Sequence, residues 1–71
     1  MTPARVQVHS SLLAAVTYTD DASLVVEFRR GSVYRYFTVP RTVFEALINA
    51  DSVGSYFNNS IRGRFPFRQV M

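Results

Sequence analysis

The spacing of apolar residues changes once along the chain. Up to residue 38 they alternate with polar residues or gather in short β-branched and aromatic blocks. Beyond residue 40 they recur at three- and four-residue intervals. The first pattern predicts strands at residues 13–19 (Leu-Ala-Ala-Val-Thr-Tyr-Thr), 24–28 (Leu-Val-Val-Glu-Phe) and 32–38 (Ser-Val-Tyr-Arg-Tyr-Phe-Thr). Asp20-Asp21-Ala22-Ser23 is turn-forming, because Asp and Ser side chains bond their own backbone. Residues 1–11 read as an extended lead-in, in which Val6 and Val8 alternate with Arg5, Gln7 and His9 in the manner of a short edge strand.

Loop lengths set the register. A three-residue loop, Arg29-Arg30-Gly31, with Gly31 left-handed at its end, pairs Phe28 with Ser32, Val26 with Tyr34 and Leu24 with Tyr36. A five-residue loop over 19–23 sets Tyr18 opposite Leu24 and Val16 opposite Val26. One face then carries Val16, Tyr18, Leu24, Val26, Phe28, Tyr34 and Tyr36, a core face. A one-residue slip would turn all of them outward. The other face carries Val25, Glu27, Val33, Arg35 and Phe37. That is too apolar for a solvated face and predicts a cover: a terminal segment, a second protomer or a ligand.

The second pattern predicts two helices. Pro40 suits a first helical position, and Val43, Phe44, Leu47 and Ile48 form one stripe of a helix over 40–50. Ser52 caps a second helix over 53–62, with Val53, Phe57 and Ile61 inward, Tyr56 beside them, and Gly63 as its stop. Past Pro66 the tail 64–68 is extended. The predicted fold is α+β: a three-stranded antiparallel meander followed by two helices packed on one face (β-β-β-α-α), in one domain over 4–68.

Composition narrows the function. At 71 residues there is room for one domain. No Cys and a single His exclude a disulfide framework and make a metal centre improbable, so no cofactor is expected. No apolar run is long enough to span a bilayer, and the first residues lack an apolar leader; a cytoplasmic domain without membrane contact is expected. Charge is uneven. Eight Arg, no Lys and five acids give a net charge of +3. Residues 1–51 balance, so the excess rests on Arg62, Arg64 and Arg68.

The series Tyr18, Leu24-x-Val26-x-Phe28, Gly31, Tyr34-Arg35-Tyr36, Val39-Pro40, Ala50-Asp51-Ser52-Val53-Gly54-Ser55-Tyr56-Phe57-Asn58 and Ile61-Arg62 resembles the KTSC domain family over about residues 9–68. That family takes its name from a domain at the C-terminus of some lysyl-tRNA synthetases and also occurs as small stand-alone proteins. The resemblance makes Tyr34, Tyr36, Gly31, Pro40, Ser52 and Gly54 its structural motif. The resemblance implies no particular activity, since the family's function is unknown, and suggests RNA binding by association with the synthetase.

The candidate chemistry is recognition of a polyanion. Arg offers a planar fork for phosphate and stacks on bases. Arg62, Arg64 and Arg68 stand among Tyr56, Phe57, Phe65 and Phe67, and the candidate contacts for RNA, tRNA or a nucleotide-like phosphate are Arg62, Arg64, Arg68, Arg35, Tyr56 and Asn58. Against this stands a plain solvated basic surface. Tyr34 and Tyr36 are either core rings or a stacking platform, and Arg35 either contacts a partner or pairs with Glu27. Arg29 and Arg30 are either solvated or a phosphate clamp; Ser52, Gly54 and Ser55 are either a cap or an anion site. No nucleophile, base and orienting group share one spacing that catalysis needs: His9 has neither Cys nor a facing Ser. The alternative function is protein interaction or self-assembly, with a homo-oligomer formed through Val25, Val33 and Phe37, including an oligomer that sequesters a nucleotide between protomers.

Overall fold

The computed structural model describes residues 4–71. Along the chain run β1 (Ala4–Gln7), β2 (Leu13–Tyr18), β3 (Leu24–Phe28), β4 (Val33–Tyr36), α1 (Arg41–Ile48), α2 (Val53–Ser60) and β5 (Phe67–Gln69). All strands join one antiparallel sheet in the order β1-β2-β3-β4-β5. The expected three-stranded meander is therefore the centre of a five-stranded sheet. The lead-in supplies β1, with residues 1–3 outside the described part. After Pro66 the tail returns along β4 as β5, setting Tyr36 opposite Phe67 and Tyr34 opposite Gln69. Pairing satisfies backbone groups that the β4 edge would otherwise leave to water. Three residues of alternation are too few to announce a strand from sequence.

The central register is the one that the loops dictate. Tyr18 faces Leu24, Val16 faces Val26, Leu24 faces Tyr36 and Val26 faces Tyr34. Gly31 has φ +104° and its N–H donates to the Phe28 carbonyl at 2.9 Å, which closes the hairpin. One irregularity escaped the alternation. Between Leu13 and Ala15 the register of β2 shifts against β3, so one extra residue is inserted there. Leu13 and Val16, three apart, are both fully buried as a result.

Both helices lie on the inner face. Phe44 and Leu47 of α1, and Val53, Phe57 and Ile61 of α2 and its cap, join Val16, Leu24, Val26, Phe28 and Tyr36 in one core. Phe57 meets Phe28 and Tyr36 edge-on, with centroids 5.5 and 5.7 Å apart. Both helices are shorter than their apolar stripes suggest. Pro40 is the N-cap of α1 rather than its first helical residue, with ψ 146°. Ser52 caps α2 as expected, its Oγ accepting from the Ser55 N–H at 3.3 Å. Ile61 ends α2, and Gly63, at φ +75°, serves the following turn, where the Arg64 N–H reaches the Ile61 carbonyl at 3.0 Å. Arg62 therefore lies beyond the helix and not in its last turn.

On the outer face Val25, Val33 and Phe37 are half-buried, and the expected cover is partly ionic. Arg5 bonds Glu27 at 2.9 Å and Arg35 bonds Asp21 at 3.1 Å. Arg35 pairs with Asp21, not Glu27, because β1 brings Arg5 to Glu27 first. Arg5 holds the Glu27 carboxyl below its usual range, and hydrogen bonds from Thr19 and Ser23, followed by Arg35, do the same for Asp21. A carboxyl depressed in the folded state adds stability above its ordinary value, near 4, and loses that contribution as pH falls through its folded value. Thermal unfolding followed against pH should show this acid limb, and Asp21→Asn/Glu27→Gln should flatten it.

Candidate nucleic-acid interface

The C-terminal arginines fall on two sides of the sheet. Arg62 and Arg64 follow α2 on the helix side. The Arg62 guanidinium donates to the Asn58 Oδ1 at 3.2 Å, and Arg64 Nε donates to the Asn59 carbonyl at 3.0 Å. Both are exposed and, among the described residues, neither has an acidic partner. The other ion pairs take up Arg5, Arg35 and Arg41, the last with Glu45 at 3.3 Å. Arg68 lies opposite Arg35 on β5, on the outer face. The predicted set is thus divided: Arg62 and Arg64 beside Asn58, and Arg68 beside Arg35.

An aromatic edge adjoins the first group. Phe67 is 56% exposed and rests on Tyr34 and Tyr36, with centroids 5.7 and 5.6 Å away. Burial pushes the Tyr36 phenol up, and the charge of Arg62 draws it partly back. Tyr36 is core, whereas Tyr34 is half-buried and its hydroxyl donates to Gln69 Oε1 at 3.3 Å. The two rings stack with centroids 6.5 Å apart, Tyr36 inside the core and Tyr34 at its margin. Tyr34→Phe should leave the melting temperature almost unchanged. Tyr34→Ala should cost about 1–3 kcal/mol, because only part of the ring's packing is lost; chemical denaturation measures both. Tyr56 is half-buried against the core, which limits it as a contact.

The hairpin arginines are committed to the fold. Arg29 donates to the carbonyls of Ser10 and Val8, and Arg30 bonds Ser32 Oγ at 2.8 Å while lying 5.3 Å from the Phe28 ring centre. Neither shares a site with Arg62.

A polar cleft of about 450 Å³ separates the β1–β2 loop from the start of α2, lined by His9, Ser10, Ser11, Asp51, Ser55 and Asn58 among others. Sequence spacing could not bring these two segments together. One signal was present in Gly54: a Cβ there would lie 3.2 Å from Ser10 Oγ, which accepts from the Leu12 and Leu13 N–H groups. The glycine is where the loop packs onto the helix. Asn58 touches both the cleft and Arg62, joining the cleft to the basic end of α2.

Five antiparallel strands backed on one face by two helices define a small α+β domain. The chain belongs to the KTSC domain family, whose model matches residues 9–65. It is 52% identical over 48 residues to a lysine–tRNA ligase of Nostoc punctiforme, a match that covers 68% of this chain and 9% of the ligase. The chain thus spans about a tenth of the length of the ligases it matches. An uncharacterized protein of Stutzerimonas stutzeri is 44% identical over 55 residues, covering 76% of this chain and 78% of that protein. The crystal structure of a KTSC domain protein from Yersinia pestis superposes with a TM-score of 0.92 at 30% identity, covering 99% of this chain and 100% of that one. No helix among the described residues is long and apolar enough to cross a membrane.

Proposed function

We propose that this domain is a non-catalytic module that binds RNA through its phosphate backbone, with Arg62 and Arg64 holding phosphate and the Phe67 ring taking a base. The observation that carries the reading is an exposed ring, backed by Tyr34 and Tyr36, on the helix side of the sheet, together with two exposed guanidiniums beyond α2 whose partners are all neutral. An unneutralised guanidinium held by Asn58 is pre-oriented at little entropic cost, and phosphate is the anion that its fork fits. A ring on an open edge stacks any base, at about 1–3 kcal/mol each. The match to lysine–tRNA ligases supports RNA, and tRNA in particular, as the polyanion. With few contacting cations the affinity is modest and sensitive to salt.

Fluorescence anisotropy with labelled tRNA and a short single strand at about 50 mM salt, where electrostatic binding is strong, tests this. Micromolar binding is expected, lost in Arg62→Ala/Arg64→Ala and weakened in Phe67→Ser. Absence of binding by the wild-type chain refutes the reading.

A further inference from the structure

The outer face poses an electrostatic problem that RNA binding on the helix side does not answer. Following the register across the sheet, Arg5, Thr17, Val25, Arg35 and Arg68 form one transverse row. Arg5 is neutralised by Glu27. At the other end Arg35 and Arg68 stand directly opposite each other on β4 and β5. Like charges in that position repel and destabilise the pair of strands. Among the described residues the carboxylate bonded to them is that of Asp21, which reaches Arg35 at 3.1 Å, and its side chain is 66% exposed. Arg68 has no acidic partner among the described residues.

Two further features converge on this corner. The Arg35 guanidinium lies 5.8 Å from the centre of the half-buried Phe37 ring, so a flat apolar surface adjoins Arg35. Ala22 and Thr38, the two non-glycine residues of positive φ among the described residues, also meet here: Ala22 follows Asp21, Thr38 follows Phe37, and the Val39 N–H donates to the Ala22 carbonyl at 2.8 Å. Backbone held in the left-handed region by ordinary residues is costly, and such positions gather at functional sites.

We infer that Arg35 and Arg68 form a second anion site, in which one phosphate ester bridges the two guanidiniums and the flat ring attached to it packs on Phe37. An anion between the cations turns their repulsion into attraction, and two guanidinium forks match the oxygens of one phosphate. The chemistry is that of a nucleotide, either free or as one unit of a strand. The site is on the face opposite Arg62 and does not depend on the helix-side reading: variants of each leave the other intact.

Thermal unfolding and NMR titration with inorganic phosphate, adenosine monophosphate and a short oligoribonucleotide test the site. Adenosine monophosphate should raise the melting temperature of the wild-type chain and shift the β4 and β5 amides. Arg68→Gln should melt higher than wild type without ligand, because the repulsion is relieved, yet bind the nucleotide at least tenfold more weakly. Phe37→Leu should weaken the nucleotide severalfold and leave inorganic phosphate unchanged. Arg62→Ala/Arg64→Ala should retain the nucleotide. If the oligonucleotide binds tenfold or more tightly than the monophosphate through these residues, the phosphate comes from a strand; equal affinities identify a free nucleotide. The inference is overturned if no probe binds, if Arg68→Gln binds as wild type does, or if a wild-type dimer dissociated by Phe37→Glu shows that a second copy occupies the face.

Discussion

Phe57→Ala should remove about half of the domain's stability at 25 °C. Phe57 is fully buried and holds the sheet to α2 through its edge contacts with Phe28 and Tyr36. Removing such a ring costs about 3–5 kcal/mol in lost transfer energy and cavity. A domain of this length has roughly 4–10 kcal/mol in total, at about 0.05–0.15 kcal/mol per residue. There is no disulfide to hold the remainder together. Near-ultraviolet circular dichroism and urea titration should show an unfolding midpoint lowered to about half of its wild-type denaturant concentration. A variant within 1 kcal/mol of wild type, a small core effect, would mean that α2 is not packed as described.

The second large effect centres on Tyr18. Its ring stacks on Phe44 with centroids 5.2 Å apart, Arg41 lies 5.8 Å from the ring centre, and its hydroxyl donates to the Val39 carbonyl at 2.7 Å. Val39 is fully buried, and its N–H is already bonded to Ala22. The β2–β3 hairpin thus grips both backbone groups of the residue before Pro40 and fixes where α1 begins. Tyr18→Phe removes one partly buried hydrogen bond and should cost about 1–2 kcal/mol. Tyr18→Ala also removes the packing of this half-buried ring beneath α1 and, with the lost hydrogen bond, should cost about 2–4 kcal/mol. Urea unfolding of the two variants separates the hydroxyl from the ring. Equal losses would show that the ring carries no packing.

The sheet centre was legible because two short loops fix the pairing and the core pattern rejects any slip. The bulge at residues 13–15 was not, since an inserted residue imitates an ordinary break in alternation. β5 was visible only as an extended tail: its partner β4 is about thirty residues earlier, and its own residues, Phe67, Arg68 and Gln69, carry no burial pattern. The same blindness divided the arginines. Charge along the chain grouped Arg62, Arg64 and Arg68, but a strand sends neighbouring side chains to opposite faces. Phe67 therefore joins Tyr34 and Tyr36 while Arg68 joins Arg35. The family motif was readable in order, but its reason was not: Gly54 is small because Ser10 approaches it, across 44 residues of sequence.

The most direct measurement is the salt dependence of RNA binding by the wild-type chain and by Arg62→Ala/Arg64→Ala. For a single strand each phosphate contact contributes a slope of about 0.7 in log affinity against log salt. Removing both arginines should lower the slope by about 1.4, twice that unit, along with the affinity. An unchanged slope and affinity in the double variant would contradict the assignment of phosphate to the end of α2.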